Sequence, residues 1–180
     1  MRKVLYIFGA LTDADVETLV RIGTRRRLDD GEVVIREGEW ADSVILLLNG
    51  EFLVTKQGMG QIALLGAGEI VGEMSLVDSE LPSATITARG RCLALFINKA
   101  ILLQKLETNV GFGCRFYRAM AIFLADRLRA TMQAPALSES SMADEAPVLA
   151  DELDSGILDA VSNAGERFQR VLRLLTGQAQ

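Results

Sequence analysis

Apolar and polar positions follow two different periods along this chain, and the change of period divides it. From residue 24 to 97 the apolar residues come in short, largely β-branched runs, such as Val33-Val34-Ile35, Val44-Ile45 and Phe52-Leu53-Val54, with Gly31, Gly38 and Gly50 between them as turns. Short strands punctuated in this way predict a small β jelly-roll barrel. Before it, Arg2 to Ile22 reads as helix, interrupted near Gly9 and restarted at Thr12, whose hydroxyl can cap the turn with Asp15 three residues on; Gly23 then ends it. After the barrel, Ile101 to Met132 reads as helix again, broken or bent around Gly111 and Gly113. Phe112, Phe116, Met120, Phe123, Leu124 and Leu128 recur there at three- and four-residue spacing as one apolar stripe.

Residues 134 to 150 contain Pro135, Pro147 and a Ser138-Glu139-Ser140-Ser141 run, a composition that predicts a flexible linker. Helical spacing then resumes at Leu153, Ile157, Val161, Ala164, Phe168, Leu172 and Leu175, a seam suited to packing on another helix. Acids 151, 152, 154 and 159 at its start and Arg167, Arg170 and Arg173 toward its end both complement the helix dipole. The fold class is α+β. An N-terminal helical element (1–23) precedes the barrel (24–97), followed by lid or dimerisation helices (98–133), a linker (134–150) and a C-terminal amphipathic helix (151–176).

Composition narrows the function classes. With 49% hydrophobic residues over 180 positions, the chain can bury one sizeable core. Its net charge of −5 lies wholly in the tail, since residues 1–133 carry 16 basic and 16 acidic side chains and residues 134–180 carry 3 and 8. A neutral body with an acidic tail argues against a nucleic-acid footprint, which needs clustered Lys and Arg. The run Arg25-Arg26-Arg27 reads either as an anion site or as a solvated first strand, because acids 29, 30 and 32 follow at once. With no histidine, triad chemistry and most zinc or iron sites are disfavoured. Cys92 and Cys114 have no metal-ligand spacing and read as buried thiols of a cytoplasmic protein. No run is long enough to span a membrane. Neither an enzyme nor a metal protein is indicated.

The candidate chemistry lies in Val71-Gly72-Glu73-Met74-Ser75-Leu76 and Pro82-Ser83-Ala84-Thr85. Gly68 and Gly72 allow the backbone to bend and to approach a ligand closely, the amides of Met74, Ser75 and Leu76 can then act as anion donors, and Glu73 is placed to accept a sugar hydroxyl. This arrangement resembles the phosphate-binding cassette of the cyclic nucleotide-binding domain family, matching at Gly72, Glu73, Leu76, Ser83, Ala84 and Thr85. The likeness extends through Gly31 to Gly38, Asp42 to Ile45 and Asn49 to Val54. It departs at Pro82, where the family has its phosphate-pairing arginine.

The resemblance implies a non-enzymatic regulatory module with cyclic AMP or cyclic GMP as ligand and no cofactor. In it Glu73 takes the ribose 2′-hydroxyl, the Met74 to Leu76 amides and the Ser83 hydroxyl hold the phosphate, and the following helix closes as a lid. Similarity to the sensor half of catabolite-activator-type regulators implies a homodimer through the Phe112 to Leu128 stripe, against which stands simple packing on the barrel. Thr131 is either the residue that reads the adenine edge or a helix end with no ligand. Only 47 residues, net acidic, follow the long helix, so no DNA-binding domain is expected. The C-terminal helix docks on the chain itself, on a dimer mate or on a partner protein. The opposing reading is a degenerate, ligand-independent interaction scaffold, unless another cation, such as Arg89 or Arg115, replaces the missing arginine.

Overall fold

The computed structural model describes residues 8–78, 80–133 and 155–176, and the side chains within them except those of residues 126, 127, 130–133, 155–163 and 176. After a helical turn ending at Ala10, α1 spans Asp13–Ile22. Six strands follow: β1 (Gly23–Leu28), β2 (Val33–Ile35), β3 (Ser43–Lys56), β4 (Gly60–Gly66), β5 (Ile70–Val71) and, after the short helix α2 (Met74–Val77), β6 (Thr85–Asn98). Then come α3 (Lys99–Thr108), α4 (Val110–Gln133) and α5 (Ser155–Thr176).

All the strand pairings are antiparallel and run β1-β6-β3-β4, with β2 added to β6 and β5 to β3, so the sheet is an open jelly-roll layer rather than a closed barrel. The long strands β3 and β6 explain why Val44 to Leu48 are all buried despite the period-two geometry of a strand. Val44, Leu46 and Leu48 enter the core shared with the helices, while Ile45 and Leu47 enter the sheet interior with Phe52, Leu65 and Ile86. Both faces of β3 are therefore covered along this stretch, as in strands that read as continuous apolar runs, whereas β1 and β4 are largely exposed. Register shifts between Leu47 and Glu51 bend β3, and Gly50 (φ +95°) sits at this bulge with Cys92 packed against it.

The helical core gathers Leu11, Val16, Leu19, Leu95, Leu102, Leu106, Phe112, Phe116, Met120 and Phe123. α1 starts as its sequence predicts, with a full capping box between Thr12 and Asp15. Gly23, expected only as a helix stop, lies in extended backbone (φ −89°) and opens β1 opposite Ile97. The break after the barrel falls at Asn109 rather than at the glycines, because the Asn109 side chain accepts the Phe112 N–H (3.0 Å) and caps α4. Gly111 and Gly113 are inside α4, and Gly113 lets that helix press on α3, since a Cβ there would sit 2.6 Å from the Leu106 carbonyl oxygen.

α5 docks on the same chain. Ala164 and Val171 are fully buried, with Phe168, Leu172 and Leu175 packed beside them, so the seam turns toward Val171 rather than centring on Leu172. Of the three arginines assigned to the helix dipole, Arg173 lies in the last turn of α5 as expected, whereas Arg167 and Arg170 pair across the interface. Arg167 Nε donates to Asp13 Oδ1 (2.9 Å), Arg170 Nη1 to Asp13 Oδ2 (3.0 Å), and Arg170 also bonds Glu17. Arg25 donates to the Leu175 carbonyl at the end of α5, and Arg26 lies 4.4 Å over the Phe96 ring and pairs with Glu32 (2.9 Å). Two members of the basic run are therefore engaged within the fold. The linker residues 134–150, and Leu153 of the expected seam, lie outside the described residues.

Asp15 ties α4 to α1 through a bidentate bond from Arg115, Nε to Oδ2 (2.6 Å) and Nη2 to Oδ1 (2.8 Å). Burial raises the Asp15 carboxyl's pKa, but the Arg115 bond and two bonds with Thr12 outweigh burial and hold it below the ordinary carboxylate value. The stabilisation is therefore present above the unfolded value of about 4 and is lost as pH falls through the lower folded value. Asp15→Asn is expected to lower the thermal midpoint by roughly 2–8 °C near neutral pH, and the gap from the native protein should narrow only below about pH 4. A gap that does not change down to pH 2 would show that the pair contributes no pH-dependent stability.

Candidate functional site

The cassette is built at the point where β5 turns into α2. The Gly68 N–H donates to the Leu47 carbonyl (2.6 Å) and the Leu47 N–H to the Glu69 carbonyl (2.9 Å), which hold the turn before β5 against β3. Gly72 follows at φ +79°, and a Cβ there would lie 2.6 Å from the Ser43 carbonyl oxygen, so only glycine lets the chain turn so close to β3. The second half of the cassette is pinned from the other side. The Gly38 N–H donates to the Pro82 carbonyl (2.9 Å) and the Glu37 N–H to Thr85 Oγ1 (3.0 Å).

Between the two halves lies a cavity of about 190 Å³. It is lined by Val71, Gly72, Glu73, Met74, Ser75, Pro82, Ser83 and Ala84, with an apolar floor that includes Ile35, Val54, Leu65 and Ile86. Glu73 is 2% exposed and Ser75 8%, whereas Met74 is 48% exposed and Ser83 is open to solvent. The structure thus brings together eight of the ten residues that the sequence marks for ligand binding, Leu76 and Thr131 being the exceptions. Leu76 packs into the helical core and its N–H donates to the Glu73 carbonyl (3.1 Å), so this amide is committed to the turn and not to the cavity. The Thr131 side chain lies outside the described residues.

Neither cation expected to replace the missing arginine is in the cavity. Arg89 faces Glu51 (3.9 Å) on the exposed strand surface, and Arg115 is held by Asp15. Sequence reasoning missed Lys99, the first residue of α3. It is 6% exposed, and its ammonium donates to Ser75 Oγ (2.6 Å) and to the Ala41 carbonyl beneath the cassette. Burial lowers its pKa, an effect that Asp42, Glu73 and Asp78 partly offset. The only sequence signal was a lysine directly after the last barrel strand, which reads equally well as a solvated helix start. Among the described residues there is no group of three or more His, Cys, Asp or Glu able to hold a metal, and no described helix is long and apolar enough to cross a membrane.

The stripe expected to pair two chains is used inside one. Phe112, Phe116, Met120 and Phe123 are each 2% exposed or less and belong to the helical core. Leu124 is partly buried and Leu128 is 62% exposed. A different α4 face is open: Val110 (78% exposed), Cys114, Tyr117 (44%) and Ala121, continuing through Leu124 to Leu128. The expectation of two buried thiols therefore holds for Cys92 but not for Cys114.

At this end of the sheet a left-handed glycine, a buried carboxylate and a short helical turn thus border one small cavity. Residues 25–109 match the sequence model of the cyclic nucleotide-binding domain, and this stretch of the chain belongs to that family. The chain is 32% identical over 103 residues to a cGMP-dependent protein kinase of Eimeria tenella, covering 57% of this chain but 10% of the kinase. It is 29% identical over 129 residues to the cyclic AMP receptor protein of Thermus thermophilus, covering 68% of this chain and 57% of that protein. Each of these relatives is thus matched over less than two thirds of its own length. A solved cyclic nucleotide-binding domain from Methylobacillus flagellatus superposes with a TM-score of 0.68 at 25% identity, covering 76% of this chain and 84% of the other.

Proposed function

We propose that this protein is a non-enzymatic, cytoplasmic regulatory module that senses a small ligand of the nucleotide class in its cassette and transmits occupancy through its helices as a homodimer. The observation that carries this reading is the cavity between Gly72–Ser75 and Pro82–Ala84, with Glu73 buried at its wall. Glu73 accepts a ribose hydroxyl, the Met74 and Ser75 amides face the group attached to the sugar, and Ser83 closes the mouth. Met74, Val77 and Leu81 leave apolar surface around that mouth, which suits a helix that closes over a ligand.

A physical path supports the output. Lys99 joins the cassette serine to the start of α3, α3 packs on α4, Arg115 ties α4 to Asp15 of α1, and Asp13 and Glu17 of α1 hold α5. A ligand that shifts Ser75 would bias this series of contacts by no more than its differential affinity for the two states. A ligand-independent scaffold is the second reading, favoured by Pro82 and by the lack of any Lys or Arg among the residues that line the cavity.

The dimer contact proposed is the α4 seam Val110, Cys114, Tyr117, Ala121, Leu124 and Leu128, exposed except at the half-buried Leu124, whose intervals of four, three, four, three and four are those of a two-stranded coil. A parallel two-fold pair would set Cys114 opposite its own copy, within the roughly 4.4–6.8 Å Cα separation that a disulfide spans. Mild oxidation of the dilute protein is therefore expected to yield a covalent dimer that Cys114→Ser abolishes. A protein that stays monomeric in sedimentation and forms no crosslink would remove the dimer from this reading.

A further inference from the structure

The charge of the cavity carries the proposal further than its shape does. Its walls are largely apolar, and the ionisable residues lining it are Glu73, Asp78 and Glu80, with no lysine or arginine among them. Glu73 is 98% removed from solvent, whereas Asp78 and Glu80 are exposed, so repulsion from the latter two is the part that salt screens. Lys99 does not line the cavity; its ammonium is bonded to Ser75 Oγ and to the Ala41 carbonyl and already interacts with the charges of Asp42, Glu73 and Asp78. Of the three cassette amides, that of Leu76 is taken by the Glu73 carbonyl. The cavity of about 190 Å³ is also smaller than the roughly 300–1,000 Å³ usual for drug-sized ligands.

We infer that the cassette takes an uncharged nucleoside in preference to the corresponding cyclic nucleotide. This rests on the reading of the cassette as the ligand site and names the chemistry it selects. A cyclic phosphate would bring a full negative charge to a lining that holds Glu73, Asp78 and Glu80 and no lysine or arginine to pair with it. A nucleoside keeps the ribose hydroxyls that Glu73 can accept and the flat base that the apolar walls can cover, and it brings no charge to neutralise. Its free hydroxyl at the phosphate position can also accept from the Ser75 amide or donate to Glu73.

The test is calorimetric titration of the full chain with adenosine against cyclic AMP, and with guanosine against cyclic GMP, at low and moderate salt. At least one nucleoside is expected to bind about tenfold or more tightly than its cyclic phosphate, the fold-change that one charge-assisted bond carries. The gap should widen at low salt, where repulsion of the anion is least screened. Glu73→Gln should weaken the nucleoside and narrow the gap. If a cyclic nucleotide binds more tightly than its nucleoside, the inference is overturned while the sensor reading stands, and loss of that binding in Lys99→Met would identify Lys99 as the cation. If neither class binds at millimolar concentration, the inference and the sensor reading fall together and the scaffold reading takes their place.

Discussion

Met120→Glu is expected to lose most of its cooperative folding, whereas Tyr117→Glu/Leu128→Glu is expected to fold as a monomer. The sequence places Met120 and Leu128 on one apolar stripe, but the structure separates them. Met120 is 2% exposed among the Phe116 and Phe123 rings of the helical core, and Leu128 is 62% exposed. A glutamate in the first position has no cation facing it from within that apolar core and should lower stability by about 3–5 kcal/mol. That is a large part of the 5–15 kcal/mol typical of a domain and corresponds to a midpoint lower by roughly 6–20 °C. In the double variant the charges fall on solvated surface, so the far-ultraviolet circular dichroism should stay native while sedimentation reports half the native mass. A folded, monomeric Met120→Glu beside a still dimeric double variant would return the pairing role to the buried stripe.

Pro82→Arg is expected to raise affinity for cyclic AMP or cyclic GMP by about 10- to 150-fold, the equivalent of a charged hydrogen bond of roughly 1.5–3 kcal/mol. The substitution is well placed, because the hydrogen bond that holds this loop uses the Pro82 carbonyl, which an arginine retains. A guanidinium here would add a cation to a cavity whose described lining holds none, and could grip a phosphate bidentately. Titration of native and variant proteins under one salt condition measures the effect. If the native protein already binds in the nanomolar range and the arginine adds nothing, the phosphate charge is met elsewhere and Lys99 becomes the group to replace next.

Much of the architecture was legible because it rests on local rules. The capping box at Thr12 and Asp15 follows from residue types at a set spacing, and Gly72 had to be glycine for a backbone reason that its neighbours already suggested. The β-branched runs with glycines between them gave the sheet, and the cassette residues fell together around one cavity because they are close in sequence and bracketed by pinned turns. Pro82 stood out for the same reason, as a departure at a single position of a short motif.

What the sequence by itself determined was therefore the succession of helix, strands and helices, the family that the strand region matches, and the cassette residues that the fold gathers around one cavity. Which of two apolar faces of α4 is covered, where the arginines of α5 find their partners, and which cation stands behind the cassette were decided only by tertiary structure. Helical periodicity marks a buried face without saying what buries it. Here the cover is α3 together with the α1, sheet and α5 residues of the shared core, so the seam at Val110, Cys114 and Tyr117 is the one left open. Charges are subject to the same limit: Arg115 meets Asp15 across 100 residues, Arg170 meets Glu17 across 153 and Lys99 meets Ser75 across 24. Such pairs depend on long-range docking of whole elements, which leaves no local spacing from which they could have been read.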